Sequence, residues 1–337
     1  MTQIPYNSFN QYLRQQYKTI VWRIPLEGNF TCPNRDGNRA FGGCTFCTAD
    51  GSSSKGQNPE DPIEIQLQKG IDKHQKRHKA KKFIAYLQSF TNTYAPAHLL
   101  KTVYDQAINH PDIIMLSIGT RPDCLPNDVI DLIESYCDKV EVWIDLGLQT
   151  IHNQTLEAIN RGHTSEEFFD AIERIKTRAP RTKICAHMIA GLPGEDKDLS
   201  LSYQTGLALS KLPIDGIKIH NLCVLKDTKL AYEYAEGLIQ PLEMQAYIDL
   251  VIDILSILPP EITVHRLMAE AATRDELIAP AWADDKDLFL DTLRKQMNER
   301  GISQGCALLN HNSDKTLSLS EFKQNIITSS LGIKALV

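Results

Sequence analysis

The sequence predicts an α/β fold: a full or partial β/α barrel of six or seven parallel strands, followed by a C-terminal extension. Three observations carry this expectation. Short β-rich runs alternate with amphipathic helical runs along most of the chain. Proline or glycine marks many of the junctions, as at Pro62, Pro96, Pro126 and Gly216. Polar and glycine-rich stretches follow several of the strands. Alternation at this spacing is what parallel β/α units around one sheet produce, and in such barrels the loops after the strand C-termini carry the chemistry.

The elements follow in order. Candidate strands are Ile20–Pro25, Phe83–Gln88, Ile113–Ile118, Val140–Leu146, Lys183–Ile189, Gly216–Leu222 and Ile262–Leu267, each rich in β-branched or aromatic residues. Helical patterns occupy Pro62–Lys79, Ala97–Asn109, Asn127–Asp138, Glu166–Arg178, Lys197–Ser210 and Leu242–Leu258. No repeat or low-complexity linker divides them. The expected barrel domain is therefore residues 1–305, with a cysteine-bearing loop at 28–57 after the first strand. Residues 306–337 lose the β/α rhythm and are read as an extension with one short helix at Leu319–Ile327.

Composition narrows the class. The 337 residues carry 36 Lys+Arg and 42 Asp+Glu, a net charge of −6, with 42% hydrophobic residues. That is the balance of an ordinary soluble enzyme with apolar content enough for a core. No apolar run reaches the roughly 18–20 residues of a membrane span, and MTQIPYNSFNQYLRQQ has no apolar signal core. A cytoplasmic location with no membrane partner is expected, so the eight cysteines should be thiols or metal ligands.

Five of them stand alone in or beside apolar stretches: Cys124, Cys137, Cys185, Cys223 and Cys306. Small buried thiols pack well there. Cys124, just past a strand end, is the one placed to touch a substrate, although packing is the commoner role. Cys32, Cys44 and Cys47 crowd into CPNRDGNRAFGGCTFC, with eleven and two residues between them. A redox dithiol wants no third cysteine, and a structural zinc wants a fourth ligand that no nearby residue supplies. Three thiolates suit a [4Fe–4S] cluster, leaving one iron open to a small molecule. Zinc and three structural thiols remain the alternatives. Gly37, Gly42, Gly43, Gly51 and Gly56 would let backbone approach the cluster, and Phe41 and Phe46 would keep it dry.

Further polar clusters end the later strands: Gln88–Tyr94, Gly119–Asp123, Gln149 just past the fourth strand, Arg161–Gly162–His163 after one short helix, and Gly191, Gly194 and Glu195. Each alone has an ordinary explanation, Thr91 or Asn92 as a helix cap, Gln149 as a solvated residue, Gly191 as a turn. On one rim together they favour a large polar ligand.

These phrases carry a resemblance. With the three cysteines, FTNTYAP at 90–96, IGTRPDCL at 118–125, GLQT with AINRGHT, and IAGLPGE at 189–195, the sequence from about Trp22 to Gly305 resembles radical S-adenosylmethionine (SAM) enzymes. It is most similar to short bacterial proteins related to the catalytic subunit of elongator, without the acetyltransferase domain of that subunit. The eleven-residue first gap is wider than the three common among radical SAM enzymes and is a feature of this branch. The resemblance implies that Cys32, Cys44 and Cys47 hold the cluster and that SAM chelates its fourth iron. It implies that Phe46 lies near the adenine, Ser89 to Thr91 meet the methionyl amino group, Gln149 bonds the ribose and Arg161 pairs with the methionyl carboxylate. Gly191, Leu222 and Val224 would flank the adenine, and His187 stands where some relatives carry an acidic ribose ligand. The reaction implied is one-electron cleavage of SAM to a 5′-deoxyadenosyl radical, with an electron donor such as flavodoxin or ferredoxin. No side chain need act as acid or base in that first step, and His220 and Glu195 are read as structural or ligand-orienting.

The substrate is less legible. Lys69–Lys82 holds seven Lys/Arg and two His against Asp72, either a solvated helix face or a phosphate-binding patch at the edge of the barrel. The resemblance implies a tRNA-modifying enzyme acting on the C5 side chain of wobble uridine, with a carboxymethylaminomethyl-type substituent as target. A radical SAM enzyme of small-molecule metabolism and a non-enzymatic iron–sulfur or zinc protein are the rival readings.

Overall fold

The computed structural model describes residues 4–51 and 58–308. Gly56 and the expected helix at 319–327 lie outside these residues. In chain order the elements are α1 (Phe9–Tyr17), β1 (Val21–Leu26), α2 (Ile63–His78), β2 (Lys82–Leu87), α3 (Ala97–Ala107), β3 (Ile113–Thr120), α4 (Asn127–Ser135) and β4 (Glu141–Gln149). There follow α5 (Asn153–Ala158), α6 (Ser165–Arg178), β5 (Lys183–Ala190), α7 (Leu199–Ser210), β6 (Gly216–Asn221), β7 (Val224–Leu225), α8 (Lys229–Ala235), α9 (Met244–Ile257), β8 (Thr263–Arg266), β9 (Leu277–Ala279) and α10 (Lys286–Glu299).

Seven strands form one sheet in the order β1-β2-β3-β4-β5-β6-β8, parallel throughout. It is a curled partial barrel in which β1 and β8 are the open edges. Strands covered on both faces read as near-continuous apolar runs, as KFIAYL and KICAHMIA do. The helices pack outside, their apolar stripes sharing the main core with the outward side chains of the sheet. In α6 that stripe is Phe168, Phe169, Ile172 and Ile175, and a reciprocal Thr164–Glu167 capping box fixes where the helix starts. The isolated ribbon of β7 with β9 is antiparallel.

Within the described residues the expected strands and helices form, with shifts of up to three residues at their ends. The largest is in β4, which runs on to Gln149. Its register slips between Gly147 and Gln149, and Gln149 takes φ +76°, so this residue ends the strand instead of following it. Two long helices were not anticipated. In α10, Phe289, Leu293 and Met297 bury one stripe at four-residue spacing. In α1, FNQYLRQQY buries only Phe9 and Leu13.

That sparse helix has a specific place. Phe9 stacks on His265 of β8 at 3.9 Å, meets Trp143 of β4 edge-on at 5.8 Å, and lies under the guanidinium of Arg23 of β1 at 5.7 Å. With Leu13, Ile84, Met115, Trp143 and Cys185 it forms an apolar floor at the strand N-terminal end. The preceding Asn7 carbonyl accepts from Val264 N at 2.7 Å, lining the outer edge of β8. No helix among the described residues is long and apolar enough to cross a membrane.

Candidate active site

The cysteine loop follows β1 and so lies on the rim made by the strand C-termini. Gly37, Gly42, Gly43 and Gly51 all take positive φ. What holds the loop is the segment after α5. Asn160 Nδ2 donates to the carbonyls of Phe41 (2.9 Å) and Gly43 (2.8 Å). In return, Asn34 Nδ2 donates to the Arg161 carbonyl at 2.8 Å and also bonds that of Asn160. Gly162, at φ +72°, passes so close that a Cβ there would lie 2.1 Å from Asn34 Oδ1.

Donors converge on the sulfurs. Cys44 is buried, and its Sγ accepts from Asn34 Nδ2 (3.7 Å) and Arg161 Nη1 (3.6 Å). Cys47 Sγ accepts from Arg35 Nη2 at 3.5 Å. Nitrogen donors and two guanidinium groups thus face these two sulfurs. Among the described residues, just one trio of His, Cys, Asp and Glu ligand atoms lies within 4.8 Å of one another, and it is not Cys32, Cys44 and Cys47. Thiolates around one tetrahedral zinc sit about 3.8 Å apart, given Zn–S bonds of about 2.3 Å. Phe46 is half-buried in an apolar cluster, whereas Phe41 is 77% exposed with its ring over Gly37. The expectation that Phe41 shields the site is therefore corrected: its backbone is clamped by Asn160, which turns the ring outward.

The structure brings several other expected residues together. Phe46, Leu222 and Val224 join one apolar cluster with Ile189 and Leu192. Gly191, at φ +73°, turns the chain after β5; its N–H donates to Ser202 Oγ (3.1 Å), whose hydroxyl donates to buried Glu195 (2.8 Å). That chain gives Glu195 the structural role expected of it. Ser89 spends its hydroxyl on Glu27 Oε1 at 2.7 Å. Thr91 Oγ1 and Gln149 Oε1 are buried with no partner. These unmet polar atoms on the rim are the kind of group a polar cofactor satisfies.

Arg161 is buried. Its Nε donates to His163 Nε2 (2.9 Å), Nη2 to the Gly147 carbonyl (2.9 Å) and Nη1 to Cys44. Burial, and then the Arg161 charge, hold the His163 pKa well below its ordinary value, so His163 is neutral and can accept. Beside it Arg121 Nη1 donates to the Arg161 carbonyl at 2.7 Å, while Nε and Nη2 grip both oxygens of Asp123 at 2.9 Å. Burial works against that charge, but the forked pair with Asp123 outweighs it and raises the Arg121 pKa. Cys124 is buried against this pair, and burial pushes its thiol up to about 12.

Below the rim the lumen is polar, which the strand patterns did not announce. Lys218 of β6 is buried, ion-paired to Asp145 of β4 and bonded to Tyr86 Oη of β2 at 3.1 Å. His187 Nε2 meets His220 Nδ1 at 2.8 Å. Both histidines keep some accessible surface although they lie on central strands, so they line space reachable from the rim. Burial, then the Lys218 charge, lower the His187 pKa to about 3. The trio within 4.8 Å is Asp145, Cys185 and His265, deeper still; Lys218 on the same carboxylate opposes a divalent cation there. Sequence reading placed Arg121 in a polar rim cluster without giving it a role, and missed Asn34, Asn160, Asp145 and Lys218. The usable signal was a charge inside an otherwise apolar strand, as in EVWIDLGLQ and GIKIHN.

The basic stretch is elsewhere. It ends at Lys82, where β2 begins, so its C-terminal half lies at the end of the barrel opposite the rim. Lys69 pairs with Asp61 (2.7 Å) and Lys82 with Asp112 (2.8 Å); Lys73, Lys76, Arg77, Lys79 and Lys81 are exposed. It is not beside the site, because helices of a β/α unit run back from the rim.

A three-cysteine loop on the rim of an open parallel barrel defines a class, and the chain belongs to the radical SAM superfamily: residues 34–199 match that family, and residues 214–299 match the radical SAM C-terminal domain. It is 37% identical over 304 residues to the uncharacterized protein YtqA of Bacillus subtilis, spanning 90% of this chain and 93% of that one. Protein YhcC of Escherichia coli is also 37% identical, over 305 residues, 90% of this chain and 95% of that one. A tRNA uridine(34) acetyltransferase of Methanocaldococcus jannaschii is 27% identical over 159 residues, 47% of this chain and 28% of that protein. The fold resembles that of the archaeal Methanocaldococcus infernus Elp3, with TM-score 0.62 and 18% identity over 85% of this chain and 64% of that one. The superfamily uses a [4Fe–4S] cluster and SAM, and the donors around the sulfurs and the unmet polar atoms on the rim fit both.

Proposed function

We propose that this chain is a radical SAM enzyme that remodels the C5 side chain of the wobble uridine in tRNA. The observation that carries the reading is the likeness, over 159 residues, to a protein named for tRNA uridine(34). Exposed Phe41 on the cysteine loop supports it by offering a face on which a base can stack.

With Cys32, Cys44 and Cys47 as its ligands, the cluster together with SAM supplies a carbon-centred radical that removes a hydrogen atom, chemistry that belongs to the cofactor. The residues of the chain orient and exclude. Arg161 offers a cation beside Cys44 for the methionyl carboxylate, and Gln149 and Thr91 offer free polar atoms to the ribose and amino group. Ser89 fixes the second strand end through Glu27. Phe46, Gly191, Leu222 and Val224 form the apolar seat of the adenine and keep water out. His187, neutral at physiological pH, bonds through either ring nitrogen without adding charge. An electron donor such as flavodoxin or ferredoxin completes the system.

The test is to delete the gene and compare tRNA nucleosides by mass spectrometry. The expected result is accumulation of a precursor of one wobble-uridine modification. An unchanged nucleoside profile overturns the reading and favours a metabolite substrate.

A further inference from the structure

The lumen beneath the rim holds an unbalanced and unfinished set of polar groups. Two cations, Lys218 and Arg23, face one carboxylate, Asp145. Arg23 makes no ion pair among the described residues; its guanidinium lies 4.9 Å from the Tyr86 ring and 5.7 Å from that of Phe9. Lys218 has three donor hydrogens and bonds two partners, Asp145 and Tyr86. Asp145 is 6% exposed, yet its Oδ1 is buried with no partner, and so are His220 Nε2 and His265 Nε2; Cys185 and His265 each bring an atom within 4.8 Å of this carboxylate. A buried carboxylate oxygen left unmet is costly, and it asks for a donor. The spare cation asks for an anion. Both demands fall in one tier, which Asp145 sets about 7 Å below Gly147 on the same strand.

We propose that this tier is the specificity pocket of the enzyme for an amino-acid-like group on its substrate, with Asp145 Oδ1 taking the ammonium and Lys218 and Arg23 taking the carboxylate. A carboxymethylamino group, whose two charges are one carbon apart, meets the adjacent Asp145 and Lys218 together, with Tyr86 and His220 as its neutral neighbours. This rests on the reading of a wobble-uridine substituent as substrate and names its chemical class. A neutral or purely anionic substituent would leave Asp145 Oδ1 unmet; a purely cationic one would leave Arg23 unmet.

The experiment titrates holoenzyme carrying cluster and SAM, by calorimetry, with 5-carboxymethylaminomethyluridine, 5-carboxymethyluridine, 5-aminomethyluridine and N-methylglycine. Wild type should bind the first nucleoside about tenfold or more tighter than the second and third, the loss expected for one charged hydrogen bond. Arg23→Gln, at a half-buried position that tolerates the change, should lose the preference over 5-aminomethyluridine. The double variant Asp145→Leu/Lys218→Met removes both buried charges together so that neither is stranded, and it should lose all discrimination with a cooperative melt. Equal binding of the three nucleosides to wild type, or unchanged discrimination in both folded variants, overturns the pocket. Binding of N-methylglycine alone, abolished in the double variant, keeps the pocket and removes uridine as its carrier. Binding of none of the four probes overturns the pocket, while the nucleoside profile of the deletion strain still judges the tRNA reading by itself.

Discussion

The guanidinium of Arg161 reaches Cys44: Nη1 lies 3.6 Å from Sγ while Nη2 holds the Gly147 carbonyl at 2.9 Å. One side chain thus ties the Sγ of Cys44 to the end of β4. Lysine keeps the charge but not the fork. Arg161→Lys is expected to retain the fold and weaken SAM binding by about tenfold or more, measured by equilibrium dialysis of the reconstituted protein.

The three cysteines form one unit on a loop that the barrel does not need for its core. Cys44→Ala should abolish the visible cluster absorbance and SAM cleavage to 5′-deoxyadenosine, while circular dichroism and cooperative melting persist. A variant that stays active would remove Cys44 from the ligand set.

Gly162 combines φ +72° with a forbidden Cβ position against Asn34. Gly162→Ala should cost about 1–3 kcal/mol. The cysteine loop is clamped there, so cluster retention should fall alongside the thermal midpoint. A midpoint shift with full cluster loading would separate the clamp from the cluster.

The lumen histidines set an acid limit on stability. The His187 pKa lies near 3, and those of His220, His163 and His265 lie well below their ordinary value of 6.5, burial being the main cause in each. The unfolded chain therefore binds protons below pH 6.5 that the folded chain refuses. Their contribution is fully present above pH 6.5 and is lost as pH falls from there toward 3, by up to about 1.4 kcal/mol per pH unit for each histidine. The thermal midpoint should fall across that window, and His220→Gln should make the fall shallower; an equally steep fall in the variant would assign it elsewhere.

The rim and the far end should differ in how they serve tRNA. Phe41→Ala should weaken tRNA binding with cluster and SAM binding unchanged. The triple change Lys73→Glu, Lys76→Glu, Arg77→Glu should raise KM and flatten its salt dependence while leaving kcat in place. A loss of kcat in the triple variant would mean that the basic helix reaches the reacting base.

The parallel sheet was legible because its strands are short apolar runs in strict alternation with helices, and the cysteine loop because the spacing of its three cysteines is chemically specific. The helix α1 was not, since two apolar residues in nine give almost no periodic signal; only the partners of Phe9 reveal its purpose. Asn34 and Asn160 were hidden differently, as was the role of Arg121. They act through backbone carbonyls brought together from distant parts of the chain, and spacing along a sequence carries no record of such meetings. Lys218 and Asp145 were visible as charges inside strands, but their pairing depends on the curl of the sheet across β4, β5 and β6.

Phe9 has a wider consequence. It touches β8 through His265 and β1 through Arg23, the two strands that would meet if the barrel closed. A single aromatic ring is therefore the spacer of the side opening, and the aperture is set by packing, not by sheet hydrogen bonding. The spacing of the two edge strands becomes a property of the N-terminal helix, an element that carries none of the three clustered cysteines.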